Sequence, residues 1–221
     1  MAPSSLKSLP PSTDLPFQYI GGEPALDLVN TVDWTSRGPE NERLIDFDRL
    51  TRWAEGAEVL SPKTASALRR SAAAKPREAV AAYKAALQAR QVLQRVLSAI
   101  AEGELAGHAL NDFNRLLGRA LEHMRVVSPT VARTRDRRLR LGWEHLENRL
   151  DAVIWPVLWS AASLIASDEA SRIRICGGAD CGWMYVDRSR NRLRRWCQME
   201  TCGTREKSRR RYQRIKRPVS S

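Results

Sequence analysis

All four cysteines of this 221-residue chain fall in one stretch, CGGADCGWMYVDRSRNRLRRWCQMETC. Cys176 and Cys181 enclose four residues, fifteen more lead to Cys197, and four separate Cys197 from Cys202. Two close thiol pairs bridged by a hairpin-sized insert supply the tetrahedral shell of soft ligands that zinc prefers. Two disulfides or four free thiols are the alternatives. The N-terminal MAPSSLKSLPPSTDLP reads as a loose leader without the apolar core of a secretory signal. That points to a cytoplasmic, reducing setting and favours the metal. A single zinc on Cys176, Cys181, Cys197 and Cys202 would be structural, because four thiolates leave no position for substrate water. It would also stand in for the apolar core that about fifty residues cannot build alone.

The same region carries the charge. The chain has 37 Lys and Arg against 25 Asp and Glu, a formal net charge of +12. Residues 172–221 hold 15 of the bases and only four acids, Asp180, Asp187, Glu200 and Glu206. The other 171 residues hold 22 bases and 21 acids, so a nearly neutral body carries a strongly basic end. Such asymmetry is the footprint of a polyanion binder. Arg188, Arg190, Arg192, Arg194 and Arg195 lie between the cysteine pairs, and Arg205, Lys207, Arg210, Arg211 and Arg214 follow the last cysteine. From Glu206 onward the sequence favours helix, on which 207, 210, 211 and 214 share one face suited to phosphates or guanine edges. A solvated basic helix with no partner is the bland alternative. DNA is the expected partner. RNA stays open, because Trp183, Tyr185 and Trp196 could stack on unpaired bases, unless they fill the module's small core.

Within the module, Gly177, Gly178 and Gly182 permit the tight turn that aims two sulfurs at one point. Trp183, Tyr185, Leu193 and Trp196 alternate as in a short hairpin turning at Ser189 to Asn191. A hairpin followed by a helix, with one ligand pair in each half, predicts a treble-clef-like arrangement.

The body reads as mainly helical with one small β-hairpin. Its apolar content of 43% and charged content of 28% over the chain exclude a disordered polymer. Pro24 opens a helix through Ala25, Leu28, Val29 and Val32, and Arg37 to Asn41 reads as loop. Asp46 caps a helix with Phe47, Leu50 and Trp53 on one side, and Ser61-Pro62 opens another. A long amphipathic helix is expected from Arg77 to Ala101, with Val80, Tyr83, Leu87, Leu93, Val96 and Ile100 as its apolar stripe. Helix resumes over Leu110 to Leu121. HMRVVSP and RLRLGWEH predict two strands joined by a turn at Thr134 to Arg138, and Glu147 to Ser167 a helix kinked or delayed by Pro156. The longest apolar stretch, Ala152 to Ala166, is too short for a membrane span. Three segments follow: a leader at 1–16, a helical domain at 17–170, and the cysteine module with its basic helix at 171–221.

The string from Ile175 to Arg214 resembles the CGNR-type zinc finger: both cysteine pairs, the Asp187-x-Ser189 turn, Trp196-Cys197 and Cys202-Gly203 fit its pattern. Thr204 stands where the family signature has Asn, giving CGTR, and Thr can still cap a helix. The upstream GGEPALDLVNTVDW and the middle helices resemble the stress-induced transcription regulator (ABATE-like) domain that accompanies this finger. The resemblance implies a bacterial DNA-binding transcription regulator, ligand- or stress-responsive, with the body as sensor.

A sensor needs polar groups inside an apolar frame. Asp27, Asn30 and Thr31, with Trp34 and Arg37 beside them, are the candidates for binding a small molecule. The competing reading is that Asp27 and Asn30 satisfy backbone groups at the junction with the cysteine module. No enzyme is expected: His108, His123 and His145 are scattered, and no nucleophile motif or phosphate loop occurs. An enzyme merely located on nucleic acid by its basic tail is the remaining alternative.

Overall fold

The computed structural model describes residues 15–104, 106–128 and 139–216. Its centre is a short helix, α1 (Pro24–Val29), opened by Pro24 and buried from Ala25 to Val29. A buried helix of six residues leaves unpaired backbone groups close at hand, and its neighbours are arranged to meet them. A small antiparallel hairpin follows, β1 (Asp33–Thr35) with β2 (Gly38–Glu40), pairing Asp33 with Glu40 and Thr35 with Gly38. β2 falls in the stretch Arg37 to Asn41 that reads as loop from sequence; three-residue strands are too short for period-two patterning to reveal.

Both predicted caps are present. Asp46 accepts from the Arg49 amide at 2.7 Å and opens α2 (Phe47–Gly56). Ser61 accepts from Thr64 at 3.1 Å and opens α3 (Pro62–Ala74). α4 (Pro76–Glu102) is 27 residues, about 40 Å of helix. It stops where Gly103 takes φ +76° and closes the C-terminus. Leu93 and Val96 of the expected stripe lie in the core, with Tyr83, Leu87 and Ile100 packed against it, but the first half of the helix differs. Val80 is 52% exposed, and the chain packs instead through Ala79, Ala82, Ala86 and Ala89 before Leu93, Val96 and Leu97. Alanines let neighbouring helices approach closely, and a stripe sought among large side chains misses them.

α5 (Gly107–Leu121) buries Phe113 and leads into β3 (Met124–Val127), paired antiparallel with β4 (Arg140–Trp143) as expected. The predicted turn at 134–138 lies outside the described residues. Pro156 delays the next helix: a 3-10 turn at Leu150–Ile154 runs into α6 (Trp155–Ile165), with the proline in the first turn where no amide is needed. A second 3-10 turn, Asp168–Arg172, delivers the chain to β5 (Ile173–Ile175), which pairs with β6 (Met184–Val186).

β6 joins the two halves of the molecule. Successive residues of a strand point to opposite faces. Met184 and Val186 lie in the main core with α1 and α4, while Trp183 and Tyr185 belong to a second cluster with Cys176, Cys197 and Cys202. One strand therefore serves two cores. The last described residues form a π-helical turn, Met199–Gly203, and α7 (Thr204–Lys216). The architecture is mostly helical with small antiparallel hairpins, as the sequence predicted. The hairpin within the cysteine module has moved, however. The partner of β6 is β5 on the N-terminal side of Cys176, not the 188–197 segment, and Leu193 is 74% exposed. A strand has two flanks, and alternation alone does not say which one pairs.

Candidate metal centre and nucleic-acid interface

The β5–β6 hairpin closes on a knuckle. The Cys176 amide donates to the Trp183 carbonyl at 2.8 Å and the Cys181 amide to Gly178 at 3.2 Å, which brings the first two sulfurs together. The Gly177 amide then donates to the Arg195 carbonyl at 2.8 Å, drawing in the segment that carries Cys197. The four Sγ atoms lie within 4.8 Å of one another. Cys181 and Cys197 are 3.9 Å apart, and Cys197 and Cys202 3.6 Å. Tetrahedral zinc with bonds of about 2.3 Å needs sulfurs roughly 3.8 Å apart, so the spacing fits one zinc ion. Separations near 3.8 Å are also far from the ~2.05 Å of a disulfide.

The surroundings match the charge of such a site. Amides of Gly178 and Cys197 donate to the Cys176 sulfur at 3.4 and 3.2 Å, as a thiolate requires. Hydrogen bonding to the Cys176 sulfur pushes the Cys181 and Cys197 thiols upward, a cost of crowding that a bound cation reverses. A Cβ on Gly178 would stand 3.2 Å from both Cβ and Sγ of Cys202, so a side chain there would press on a ligand cysteine. The left-handed residue of the knuckle is instead Asp180, at φ +61°. Asp180 accepts from both the amide and hydroxyl of Ser36 at 2.8 Å, contacts that lower its pKa and tie the knuckle to the β1–β2 hairpin.

Between the cysteine pairs, Asp187 organises the turn. Only 1% exposed, it accepts from the amide and hydroxyl of Ser189 and from the Arg194 amide. Burial alone would raise its pKa, but these donors and the Arg174 charge bring it below the ordinary value. At the start of α7, Thr204 does not cap by accepting. It has helical dihedrals, and its hydroxyl donates back to the Met199 carbonyl at 3.1 Å.

The ten cationic residues singled out from sequence divide into two groups. Arg188 is committed internally, paired with Glu23 and Glu169 and donating to the Gly22 carbonyl at 2.8 Å. Arg194 covers the Tyr185 ring at 4.0 Å and donates to the carbonyls of Trp196, Ile20 and Cys197. Both hold the finger together and to the body. Arg190, Arg192, Arg195, Arg205, Lys207, Arg210, Arg211 and Arg214 are exposed. Lys207, Arg210, Arg211 and Arg214 line one shallow surface along α7 together with Ile215. Glu206 was missed. It is a buried acid in the first turn of α7, held below its usual pKa by Arg209 and Arg210 at 3.0 and 3.3 Å. A lone acid three and four residues before two arginines was the available signal.

The five proposed ligand contacts do not converge. Asp27 accepts from the Gly21 amide at 2.7 Å. Asn30 both donates to the Met184 carbonyl at 2.8 Å and accepts from its amide at 2.9 Å, clamping β6 to α1. Thr31 donates to the Leu28 carbonyl and accepts from Arg90, itself paired with Glu42. Trp34 donates to the Val29 carbonyl, and the exposed Arg37 pairs with Glu40 at 2.9 Å. Of the five, Trp34 alone lines the cleft of about 480 Å³ between the β1–β2 hairpin and the finger.

A helical body sharing a strand with a four-cysteine zinc module defines a zinc-finger protein. Residues 172–215 match the family model of the CGNR zinc finger, and residues 22–168 that of the "Putative stress-induced transcription regulator", ABATE. The second match spans most of the chain, which therefore belongs to the ABATE family. A comparison with curated proteins finds no match. Among the described residues no helix is long and apolar enough to cross a membrane.

Proposed function

We propose that the protein is a transcription regulator that binds duplex DNA through α7, with the zinc centre fixing the base of that helix. The observation that carries this reading is the exposed face formed by Lys207, Arg210, Arg211 and Arg214. At 13 residues, α7 is about 20 Å long, a dimension that suits a groove about 12 Å wide. Duplex is favoured over single strands because two of the three candidate stacking platforms, Trp183 and Tyr185, are 8% and 1% exposed and committed to the finger's core, while the half-buried Trp196 is covered by Arg195 at 4.6 Å.

Responsiveness to a ligand or to stress belongs to the same proposal. The Asn30 clamp and the Arg188 pairs join body and finger, so a change of state in the body has a mechanical path to α7. The reading includes no catalytic step: His123 stacks on Trp155, His145 stands beside Glu144, and a closed thiolate shell offers no site for water.

The test is fluorescence anisotropy of the zinc-loaded full chain on duplex DNA and on single-stranded RNA, with and without a zinc chelator. Tighter binding to duplex, abolished by the chelator, is expected. Preference for RNA would overturn the duplex assignment, and binding indifferent to the chelator would remove the finger from the interface.

A further inference from the structure

The cleft beside the finger reaches the metal centre. Its lining includes Trp34 and Arg43 from the body, Thr201 from the π turn, and three of the four cysteines: Cys181, Cys197 and Cys202. Cys176 is not among them, and its sulfur is shielded by two amide donors. Of the four, Cys181 is half-buried, whereas Cys176, Cys197 and Cys202 are 6%, 3% and 7% exposed. A closed structural site needs no solvent path to its sulfurs. Here a cleft of about 480 Å³, ample for a small oxidant, opens between the β1–β2 hairpin and the finger, and Cys181 at its wall is the most exposed of the four ligands.

The geometry points to Cys181 as an oxidation site through which hydroperoxides release the finger's metal. The Cys181 thiolate displaces hydroxide from hydrogen peroxide and becomes a sulfenic acid. The Cys197 thiolate, its sulfur 3.9 Å away, then attacks the Cys181 sulfur, forming the disulfide and expelling a second hydroxide. Both hydroxides take protons from solvent. Two thiolates have lost two electrons, and the peroxide has become two waters. With two of four ligands gone the ion leaves, and the π turn and α7 lose their anchor. The chemistry stands apart from DNA binding; its consequence, release of α7 from DNA, rests on the function proposed above.

The experiment uses the zinc-loaded full chain and hydrogen peroxide, without DNA. Freed zinc is read with a colorimetric chelator, while a sulfenic-acid probe and peptide mass spectrometry locate the oxidised sulfur. Met199, 50% exposed, reports through its sulfoxide the oxidant dose delivered. Expected are one zinc released per chain, first labelling at Cys181, a Cys181–Cys197 disulfide, and restoration by thiol reductant with added zinc. Thr201→Trp, at the cleft wall, should slow release several-fold while leaving zinc content unchanged. Retained zinc at doses that convert Met199, or labelling that begins at Cys176 or falls evenly on all four cysteines, would overturn the assignment. In a second measurement with labelled duplex DNA added, a positive zinc result with no effect of peroxide on anisotropy would leave the oxidation site standing and sink the DNA reading instead.

Discussion

The body and the finger solve the same problem by different means. The body buries large side chains, with Leu26, Leu28, Leu50, Trp53, Leu93 and Leu158 nearly inaccessible, and its charges almost balance. The finger has five buried residues in its own cluster, three of them metal ligands, and carries most of the net charge. A strongly basic surface repels itself, and a small cluster cannot offset that. The metal can, because its binding free energy becomes folding free energy. The comparison also shows where the two meet: β6 is packed into the body's core through Met184 and Val186, whereas the finger's second half meets the body through polar contacts of Arg188, Arg194 and Gln198.

The comparison breaks most sharply at the metal. Cys197→Ser should abolish zinc binding and disorder residues 188–216, at a cost of about 10 kcal/mol of binding free energy. Hydrogen exchange should show 173–186 still protected on an intact helical body; loss of protection in the body as well would show a single cooperative unit.

Next in size is the joint. Asn30→Ala leaves the Met184 amide and carbonyl buried without partners and should cost about 3 kcal/mol in denaturant unfolding of the body. A change under 1 kcal/mol would mean that water or a shifted strand replaces the clamp.

Asp27 gives a comparable effect with a pH signature. Burial raises its pKa to about 6, against the amide of Gly21, which lowers it. Folding thus retains a proton that the unfolded chain gives up near pH 4. The associated stability, about 3 kcal/mol, is fully present below the unfolded value and lost as pH rises through 6. Asp27→Asn, which can still accept from Gly21, should remove that slope between pH 4 and 6. An identical pH profile in the variant would place the titration elsewhere.

Smallest is Arg188→Ala, whose side chain is 46% exposed. It should cost about 1 kcal/mol of stability while leaving the salt dependence of DNA binding untouched. A flatter salt dependence would return Arg188 to the interface.

Much of this was legible in advance. The cysteine spacing indicated the ligand set, and Pro24, Asp46 and Ser61 marked three helix starts, because caps and prolines act locally. The failures are tertiary. Which flank pairs with β6, and why alanines rather than Val80 face inward on α4, depend on what lies across from them. Asn30 was visible as a polar residue in an apolar run, yet ligand contact and backbone clamp read alike until Met184 stands opposite. Arg188 and Arg194 looked like their exposed neighbours because a charge count does not reveal partners such as Glu23 and Glu169, distant in sequence.

The most direct measurement is the salt dependence of duplex binding for the wild type and for a variant with Lys207, Arg210, Arg211 and Arg214 all replaced by alanine. If that face of α7 holds phosphates, the slope of log affinity against log salt should flatten by about 3 to 4, with zinc content and unfolding unchanged. An unchanged slope in a folded, zinc-loaded variant would contradict the account.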